Sequence, residues 1–231
     1  MRTIFTFVTI AMLAACAASE ETTKSDAGAA NAYALLDPAT ILHDGWRHMP
    51  LRSTTEYRIV SMDGRLAIRA EGTGSASGVI RRIEVDPARC PVLEWEWRVE
   101  RMQAAADLRT KEGDDVAAAR FLMFGDPGSL LDPEPVPTLR YVWTNRRVPV
   151  GAIIANPYMP EMVKNVVVES GGANLCEWVR ETRNVADDFR RAFGQAPPDT
   201  IEAFALFTDN DQTKQPVTAY YGPARLTCRN Q

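Results

Sequence analysis

The stretch that most constrains the fold is PVLEWEWRVE, which runs from Pro91 to Glu100. Apolar and charged residues alternate along it without a break. A strand with this two-residue period turns one face toward a core and the other toward solvent, as antiparallel sheets commonly do. The sequence therefore predicts a half-buried antiparallel strand. Its predicted buried face holds Leu93, Trp95, Trp97 and Val99, and its predicted exposed face holds Glu94, Glu96, Arg98 and Glu100.

Similar short runs recur along the chain, separated mostly by glycine, proline, aspartate or asparagine. The run EYRIVSMDGRLAIRAEG predicts a hairpin that turns at Asp63-Gly64, a pair that primed turns favour. NVADDFRRAFG predicts a short helix that begins after Asn184 and ends before Gly194, and MQAAADLRTKEGDD predicts a loop with a helical turn. Together these runs predict an all-β fold, a two-sheet jelly-roll-like sandwich with one short inserted helix.

The first residues, MRTIFTFVTIAMLAACAASE, have the order of a secretory signal: a positive start, an apolar segment and small residues. The apolar segment is too short to span a bilayer permanently. Residues Leu13 to Cys16 resemble the lipobox of bacterial lipoproteins, which implies cleavage before Cys16 and acylation of that residue. More than one acyl chain anchors a protein stably. An ordinary secretion signal with an incidental cysteine is the alternative.

The predicted organisation is a signal peptide over 1–15, a flexible tether over 16–34 and one domain over 35–231. The residue after the cysteine is Ala17, and not the aspartate of inner-membrane retention, so the periplasmic side of the outer membrane is the predicted address. The formal net charge is −4, and it becomes −5 when the signal with Arg2 is removed. This balance excludes a basic nucleic-acid footprint.

Three cysteines remain besides Cys16. Outside the cytoplasm thiols tend to pair, and an odd number permits one internal bridge with one thiol left over. Cys90 opens one predicted strand and Cys228 closes the last, so this pair is the predicted disulfide, and Cys176 is the residue left over.

Several stretches resemble one family in their order along the chain. They are LEWEWRVE, TKEGDDVAAARFLMFG, YVWTN, NPY, VVVESG, WVRETRNVADDFRRAFG, PPDTIEAFALFTDNDQT and AYYGPARL. The family is DUF3047, a bacterial family of unknown function, and the resemblance covers nearly the whole predicted domain. It implies a secreted, β-rich domain similar to carbohydrate-binding sandwiches. It implies no established activity and no catalytic residue.

Two acidic stretches are candidates for a cation site. Asp209, Asp211 and Thr213 occupy alternate positions after a predicted strand, and Asp114 and Asp115 lie in another loop. Calcium binds six to eight oxygens of this kind, so a structural Ca²⁺ is one interpretation. The other is a turn between strands in which the side chains accept local backbone N–H groups. The turn is the primary interpretation, because a cation needs convergence that one sequence cannot display.

The charged face of the first strand is the predicted ligand site, with Glu94, Glu96 and Arg98 in one row. Arg120 is expected to meet this row from an adjacent strand, as are Arg140, Glu181 and Arg183. Sugar rings stack on exposed aromatic side chains, and Tyr141 and Trp143 are the predicted platform because they precede the loop TNRRVPVG. A solvated sheet face with cross-strand ion pairs is the alternative for the charged row.

These observations predict a lipid-anchored cell-envelope domain that binds a glycan or another envelope component without catalysis. One alternative is a carbohydrate-active hydrolase, which would use a carboxyl pair among Glu94, Glu96, Asp114 and Asp115. Another is a structural lipoprotein whose sheet faces pack against a partner. A binding domain predicts an accessible polar site, a hydrolase predicts a cleft with two carboxyl groups, and a structural protein predicts an exposed apolar patch.

Overall fold

A computed structural model describes residues 31–229 except 42, 44, 130, 131, 133 and 199. Strands dominate this part of the chain. They are β1 (Ala32–Leu36), β2 (Arg47–Arg52), β3 (Glu56–Met62), β4 (Arg65–Gly72), β5 (Ala76–Val85), β6 (Val92–Arg101), β7 (Ala118–Phe124), β8 (Thr138–Thr144), β9 (Ile153–Ala155), β10 (Val163–Ser170), β11 (Val179–Asn184), β12 (Ile201–Asp209) and β13 (Val217–Thr227). A 3-10 turn spans Lys111–Gly113, and helix α1 spans Val185–Phe193.

The strands form two sheets that pack face to face. The six-stranded sheet has the order β11-β6-β13-β4-β3, and β1 pairs with the free half of β13. The seven-stranded sheet has the order β2-β5-β12-β7-β8-β10-β9. Every pairing is antiparallel except that of β8 with β10. The predicted two-sheet sandwich with one short helix is confirmed.

Strand β6 contains the alternating run PVLEWEWRVE almost entirely, and its alternation places the core. Trp95 and Trp97 point between the sheets and are 2% and 0% exposed. Their rings meet edge to face at 5.4 Å, and the Trp97 ring lies 5.9 Å from that of Trp143 on the opposite sheet. Aromatic pairs at such distances add to the stabilisation that burial provides.

The predicted turn and helix signals are confirmed. Asp63 and Gly64 join β3 to β4 with φ values of 52° and 73°, the positive pair that a type I′ turn needs. Asn184 caps α1, where its side chain accepts from the Asp187 backbone N–H. Gly194 ends the helix in the left-handed region, and its N–H donates to the Arg190 carbonyl.

A second apolar cluster covers the outer side of the seven-stranded sheet. Val142, Val167 and Phe207 form part of it, and Leu108 and Val116 of the loop between β6 and β7 pack onto them. Every residue of β8 is therefore buried. Strands of this kind do not alternate between apolar and polar residues, because neither face meets solvent.

Both ends of the described chain meet at one edge of the six-stranded sheet. β1 begins at Ala32, inside the segment that the sequence assigns to the tether, because Ala32 pairs with Thr227 on β13. Cys90 and Cys228 are joined by a disulfide with an S–S distance of 2.02 Å. No cysteine of the described residues, Cys176 included, is a free thiol.

The signal peptide and the lipidation at Cys16 are predictions that fall outside the described residues. Within the described residues, no helix has the length and the hydropathy needed to cross a bilayer.

Candidate functional site

The charged row of β6 lies on the outer face of the six-stranded sheet, and each of its members is held by an ion pair. Arg225 Nε on β13 donates to Glu94 Oε2 at 2.9 Å. Arg180 Nη2 on β11 donates to Glu96 Oε1 at 2.8 Å. Both arginines are strand neighbours of the glutamate that they contact, since Arg225 pairs with Glu94 and Arg180 with Glu96. The row is therefore tied to the strands on both sides of β6.

Additional cationic contacts extend this row. Arg65 Nη1 donates to Glu96 Oε2 at 2.9 Å, so Glu96 is bound by two guanidinium groups. The Arg65 guanidinium also lies over the half-buried Trp178 ring, 5.1 Å from its centroid. Arg98 Nη1 donates to Asp63 Oδ2 at 3.0 Å. Arg98 thus belongs to a separate ion pair at the β3–β4 turn.

An irregularity in β13 opens a hollow beside the row. The pairing of β13 with β6 shifts between Tyr221 and Ala224, so Gly222 and Pro223 form a bulge that has no register partner on β6. Proline also lacks the N–H that a sheet ladder requires. The hollow has a volume of about 300 Å³. Its lining consists of Ala34, Leu36, Glu94, Trp95, Glu96, Arg180, Pro223, Ala224 and Arg225.

Arg120 lies below the floor of this hollow. It stands on β7 of the opposite sheet, is 0% exposed, and extends across the core. Its Nη2 donates to the carbonyl oxygens of Glu96 and Gly222 at 2.9 and 3.0 Å. Its Nε and Nη1 have no hydrogen-bond partner among the described residues. Burial lowers the pKa of Arg120 to about 9. The sequence predicted Arg120 beside the glutamates, whereas the structure places it beneath them.

Several other predicted site residues do not lie on this face. The expectation that Tyr141 and Trp143 are exposed is wrong, because both side chains are 0% exposed in the core. The Tyr141 hydroxyl donates to Asp188 Oδ2 at 3.2 Å, and Trp143 Nε1 donates to the Gly171 carbonyl at 3.2 Å. Neither ring can stack on a sugar without unfolding the sandwich.

Three charged residues that the sequence grouped with the row lie elsewhere as well. Arg140 extends from the other sheet and donates to Asp114 Oδ1 at 3.2 Å. Arg183 pairs with Asp188 of α1. Glu181 lies on the same face of β11 as Val179, which packs on the core. The outer face of β11 instead carries Arg180, one position along, because side chains alternate between faces.

The acidic stretches come together at one end of the seven-stranded sheet. Carboxylate oxygens of Asp115, Asp209 and Asp211 lie within 4.8 Å of one another, and all three residues are buried. Asp114 is held apart by Arg140 and by Asn156, whose Nδ2 donates to Asp114 Oδ2 at 2.7 Å. The structure thus brings together three of the five residues predicted for a cation site.

Hydrogen bonds to the backbone account for two of these carboxylates. Asp115 accepts from the backbone N–H groups of Gln212 at 3.1 Å and Thr213 at 2.7 Å. Asp209 Oδ1 accepts from the Val116 N–H at 2.6 Å. The Thr213 hydroxyl accepts from the Gln215 N–H at 3.3 Å. These bonds fix the corner between β12 and β13 against the loop that precedes β7.

Two carboxylates of this acidic end, Asp209 and Asp211, have raised pKa values. Burial raises the pKa of Asp209 well above its ordinary value, and the nearby Asp114 and Asp115 raise it further against the effect of Arg140. Burial and Asp115 also raise the pKa of Asp211, which has Arg52 at 3.6 Å. Three converging carboxylates of this kind could supply oxygens to a divalent cation.

Arg180, Arg225 and Arg65 are the site residues that the sequence analysis missed. The alternation in WVRETRN places Arg180 and Thr182 on one face, but the sequence does not reveal that β11 lies beside β6. Arg225 follows the bulge, which changes the face that each later residue of β13 occupies. Pro223 was the available signal for that irregularity.

Comparisons with solved structures find distant likenesses. A family 11 carbohydrate-binding module from Clostridium thermocellum, in complex with a beta-1,3-1,4-mixed-linked tetrasaccharide, is 11% identical, with 88% of this chain and 100% of that chain covered and a TM-score of 0.44. The endoglucanase cel12A from Rhodothermus marinus is 10% identical, with 78% and 91% covered and a TM-score of 0.45. No functional conclusion follows from likenesses at this level.

Among curated proteins, none matches the chain. A family comparison gives a specific result. The model of the DUF3047 family, described as a protein of unknown function, matches residues 44–225. This range begins after β1 and ends within β13, so it includes the residues that line the hollow except Ala34 and Leu36. The match covers well over half of the chain and confirms the resemblance that the sequence motifs carry. This chain belongs to the DUF3047 family.

Proposed function

We propose that this protein is a lipid-anchored domain of the cell envelope that binds a glycan or another envelope component at the hollow of the six-stranded sheet, without catalysis. The observation that carries the proposal is the hollow itself. It places carboxylate acceptors and guanidinium donors around an opening that reaches the core residues Trp95 and Leu36. Ligand sites combine an apolar floor with a few convergent polar groups in this manner.

The polar groups of the hollow suit a ligand rich in hydroxyl groups. A hydroxyl donates to one group and accepts from another, and the pairs Glu94–Arg225 and Glu96–Arg180 present both kinds of group side by side. The Arg180 and Arg225 side chains are 61% and 42% exposed, so a bound molecule can reach them. Exposed ion pairs of this type contribute little to stability, which leaves them free to rearrange around a ligand.

Catalysis by the same carboxylates has less support. A glycosidase needs one carboxyl group with a raised pKa that donates a proton. The hydrogen bond from Arg225 instead lowers the pKa of Glu94, and Glu96 accepts from two arginines. Asp114 and Asp115 are occupied by Arg140, Asn156 and two backbone N–H groups. These contacts favour binding over acid–base chemistry.

A glycan array tests the binding proposal. We expect the full chain to bind a subset of saccharides, and Arg225→Gln to weaken that binding at least about tenfold, which corresponds to about 1.4 kcal/mol. Arg190→Gln is the matched control, since the side chain of Arg190 is 53% exposed on α1 and does not line the hollow. Equal binding by the Arg225 variant and the parent would remove the hollow from consideration. Release of reducing ends from a bound glycan would favour the hydrolase.

The lipid anchor is tested separately. Cells that express the protein are labelled with an alkyne fatty acid, and we expect the label on the parent chain and its loss in Cys16→Ser. The same variant is expected to leave the membrane fraction. Labelling that persists in Cys16→Ser would contradict the anchor, whatever the outcome of the array.

A further inference from the structure

Guanidinium groups outnumber carboxylates around the hollow. Among the described residues whose side chains line it or bond to its lining, the carboxylates are Glu94 and Glu96, and the cations are Arg65, Arg81, Arg120, Arg180 and Arg225. Arg81 enters this group because its Nη2 donates to the carbonyl of Ala34, a lining residue, at 2.7 Å. The chain as a whole has a formal net charge of −4. Among the described residues, positive charge therefore exceeds negative charge at the hollow, although the chain as a whole is acidic.

Arg120 adds a buried positive charge to the exposed guanidinium groups of the hollow. Its guanidinium is buried and its hydrogen bonds go to two neutral carbonyl groups, so no carboxylate of the described residues neutralises it at contact distance. Charges in a buried setting are poorly screened, and their potential extends further than that of an exposed ion pair. One of the two acceptors, the Glu96 carbonyl, belongs to a residue of the hollow. The electrostatic potential of Arg120 therefore extends into the hollow above it.

The accessible arginines can also exchange partners. Arg225 and Arg180 each contact one glutamate of the row, and both remain partly exposed. A guanidinium group has five N–H donors in a planar arrangement that matches the two oxygens of a carboxylate or a phosphate. An anionic group in the hollow could accept from both side chains while their contacts with the glutamates persist.

We propose that the ligand carries an acidic group, a carboxylate or a phosphate, that binds in the hollow against Arg180 and Arg225, with Arg120 acting from below as a positioning residue. This inference rests on the proposed function and adds the charge of the ligand. Carboxylates occur in uronic acid saccharides, and phosphates occur in phosphorylated saccharides and lipid headgroups.

A chemically matched pair of probes tests the charge. Trigalacturonate and its fully methyl-esterified form differ in the charge of the carboxyl groups and little in shape. We expect calorimetry at low salt to give at least about tenfold tighter binding for the acid form, and the ratio to fall as salt screens the interaction. Arg225→Gln and Arg180→Gln are each expected to reduce the ratio to below about threefold. Arg190→Gln on α1 is the control, because its ion pair with Asp187 lies outside the hollow.

Arg120 needs its own readout because it does not touch the ligand. We expect Arg120→Met to reduce the acid-to-ester ratio more than it weakens binding of the ester, whereas a structural role would weaken both equally. Circular dichroism verifies the fold of this variant. If Arg120→Met does not fold, the two surface variants decide the result, since each removes an exposed guanidinium group.

The outcomes separate the two proposals. Equal binding of acid and ester, both weakened in Arg225→Gln, would overturn the acidic ligand and leave the binding function in place. Preference for inorganic phosphate, or for vesicles that contain an anionic phospholipid, over both trimers would support the acidic group with phosphate as its source, provided that Arg225→Gln abolishes it. Failure to bind any of these probes or any array glycan would overturn both proposals.

Discussion

The hollow of the six-stranded sheet and the acidic end of the seven-stranded sheet place carboxylates in opposite settings. In the hollow, the hydrogen bond from Arg225 lowers the pKa of Glu94. At the acidic end, burial raises the pKa of Asp209, with further repulsion from Asp114 and Asp115. Among the described residues, the hollow has more cations than carboxylates and its arginines are exposed, whereas the acidic end has more carboxylates than cations and is buried. At the acidic end the carboxylates fix the backbone, while at the hollow the guanidinium groups stay accessible to solvent.

The largest expected effect concerns the structural role of the acidic end. Asp115→Ala is expected to lower the free energy of unfolding by about 2 to 4 kcal/mol, because it leaves the partly buried N–H groups of both Gln212 and Thr213 without an acceptor. Urea denaturation measures the change. Asp126→Ala is the control, since that aspartate is 69% exposed and the loss should stay below about 1 kcal/mol. If Asp115→Ala lowers the free energy of unfolding no more than the control does, the hydrogen bonds of Asp115 do not stabilise the fold.

Glu181 is a carboxylate that belongs to neither region. Burial, with a smaller effect from Glu169, raises the pKa of Glu181 to about 7. The folded chain therefore holds this proton more tightly than the unfolded chain, and the parent protein loses stability as the pH rises from about 4 to about 7. We expect Glu181→Gln to raise the free energy of unfolding at pH 8 by about 1 to 2 kcal/mol, a value reduced for solvent screening.

Thermal melts between pH 4 and pH 9 check this result. The curves of the parent and of Glu181→Gln should converge near pH 4 and separate toward pH 8. Parallel curves would show that Glu181 titrates normally. Glu181 would then not be a carboxylate whose burial outweighs the attraction of the nearby Arg183.

A smaller effect is expected at Asp211. Its pKa is raised, so charge on Asp211 opposes folding at neutral pH, and Asp211→Asn should raise stability at pH 8 by less than about 1 kcal/mol. The gain should vanish as the pH falls through the raised pKa. Millimolar calcium forms the second arm of the experiment. An increase in Tm of the parent that is absent in Asp211→Asn would indicate a cation, and no increase would leave the hydrogen-bonded corner as the role of this end.

The smallest effect is expected at the hollow. Arg225→Gln should lower the free energy of unfolding by about 0.5 kcal/mol or less at pH 7, because the pair with Glu94 is exposed. Since the folded-state pKa of Glu94 is lowered, the pair stabilises the protein above pH 4 to 5 and loses this effect as the pH falls further. Melts at pH 7 and pH 3 measure it. A loss above about 2 kcal/mol would make this ion pair a structural element like those of the acidic end.

Local patterns predicted the parts of the fold that local chemistry determines. The alternation of β6 identified Trp95 and Trp97 as core residues, because a half-buried strand must separate its two faces. The Asp63-Gly64 turn and the Asn184 cap followed from backbone preferences of single residues. The spacing of Asp209 and Asp211 identified residues that converge with Asp115.

Non-local structure explains the remaining differences. Tyr141 and Trp143 lie on the face of β8 that packs between the sheets, where their rings are 5.3 Å from Trp95 and 5.9 Å from Trp97. The run LRYVWTN has apolar residues on both faces, so it does not reveal which face meets the other sheet. The partners of Glu94 and Glu96 depended on the strand order β11-β6-β13, which joins segments far apart in sequence. Arg120 was assigned to the correct site but to the wrong side of the sheet.

The pairing of β1 with β13 has a consequence for where a ligand can be encountered. β1 contributes Ala34 and Leu36 to the lining of the hollow, and the chain enters this strand at Ala32. Under the proposed acylation of Cys16, fifteen residues lie between the lipidated residue and Ala32, so the tether spans at most about 55 Å. The domain would then stay next to the bilayer. Molecules held in the same zone would have a local concentration at the binding face far above their average concentration in the cell.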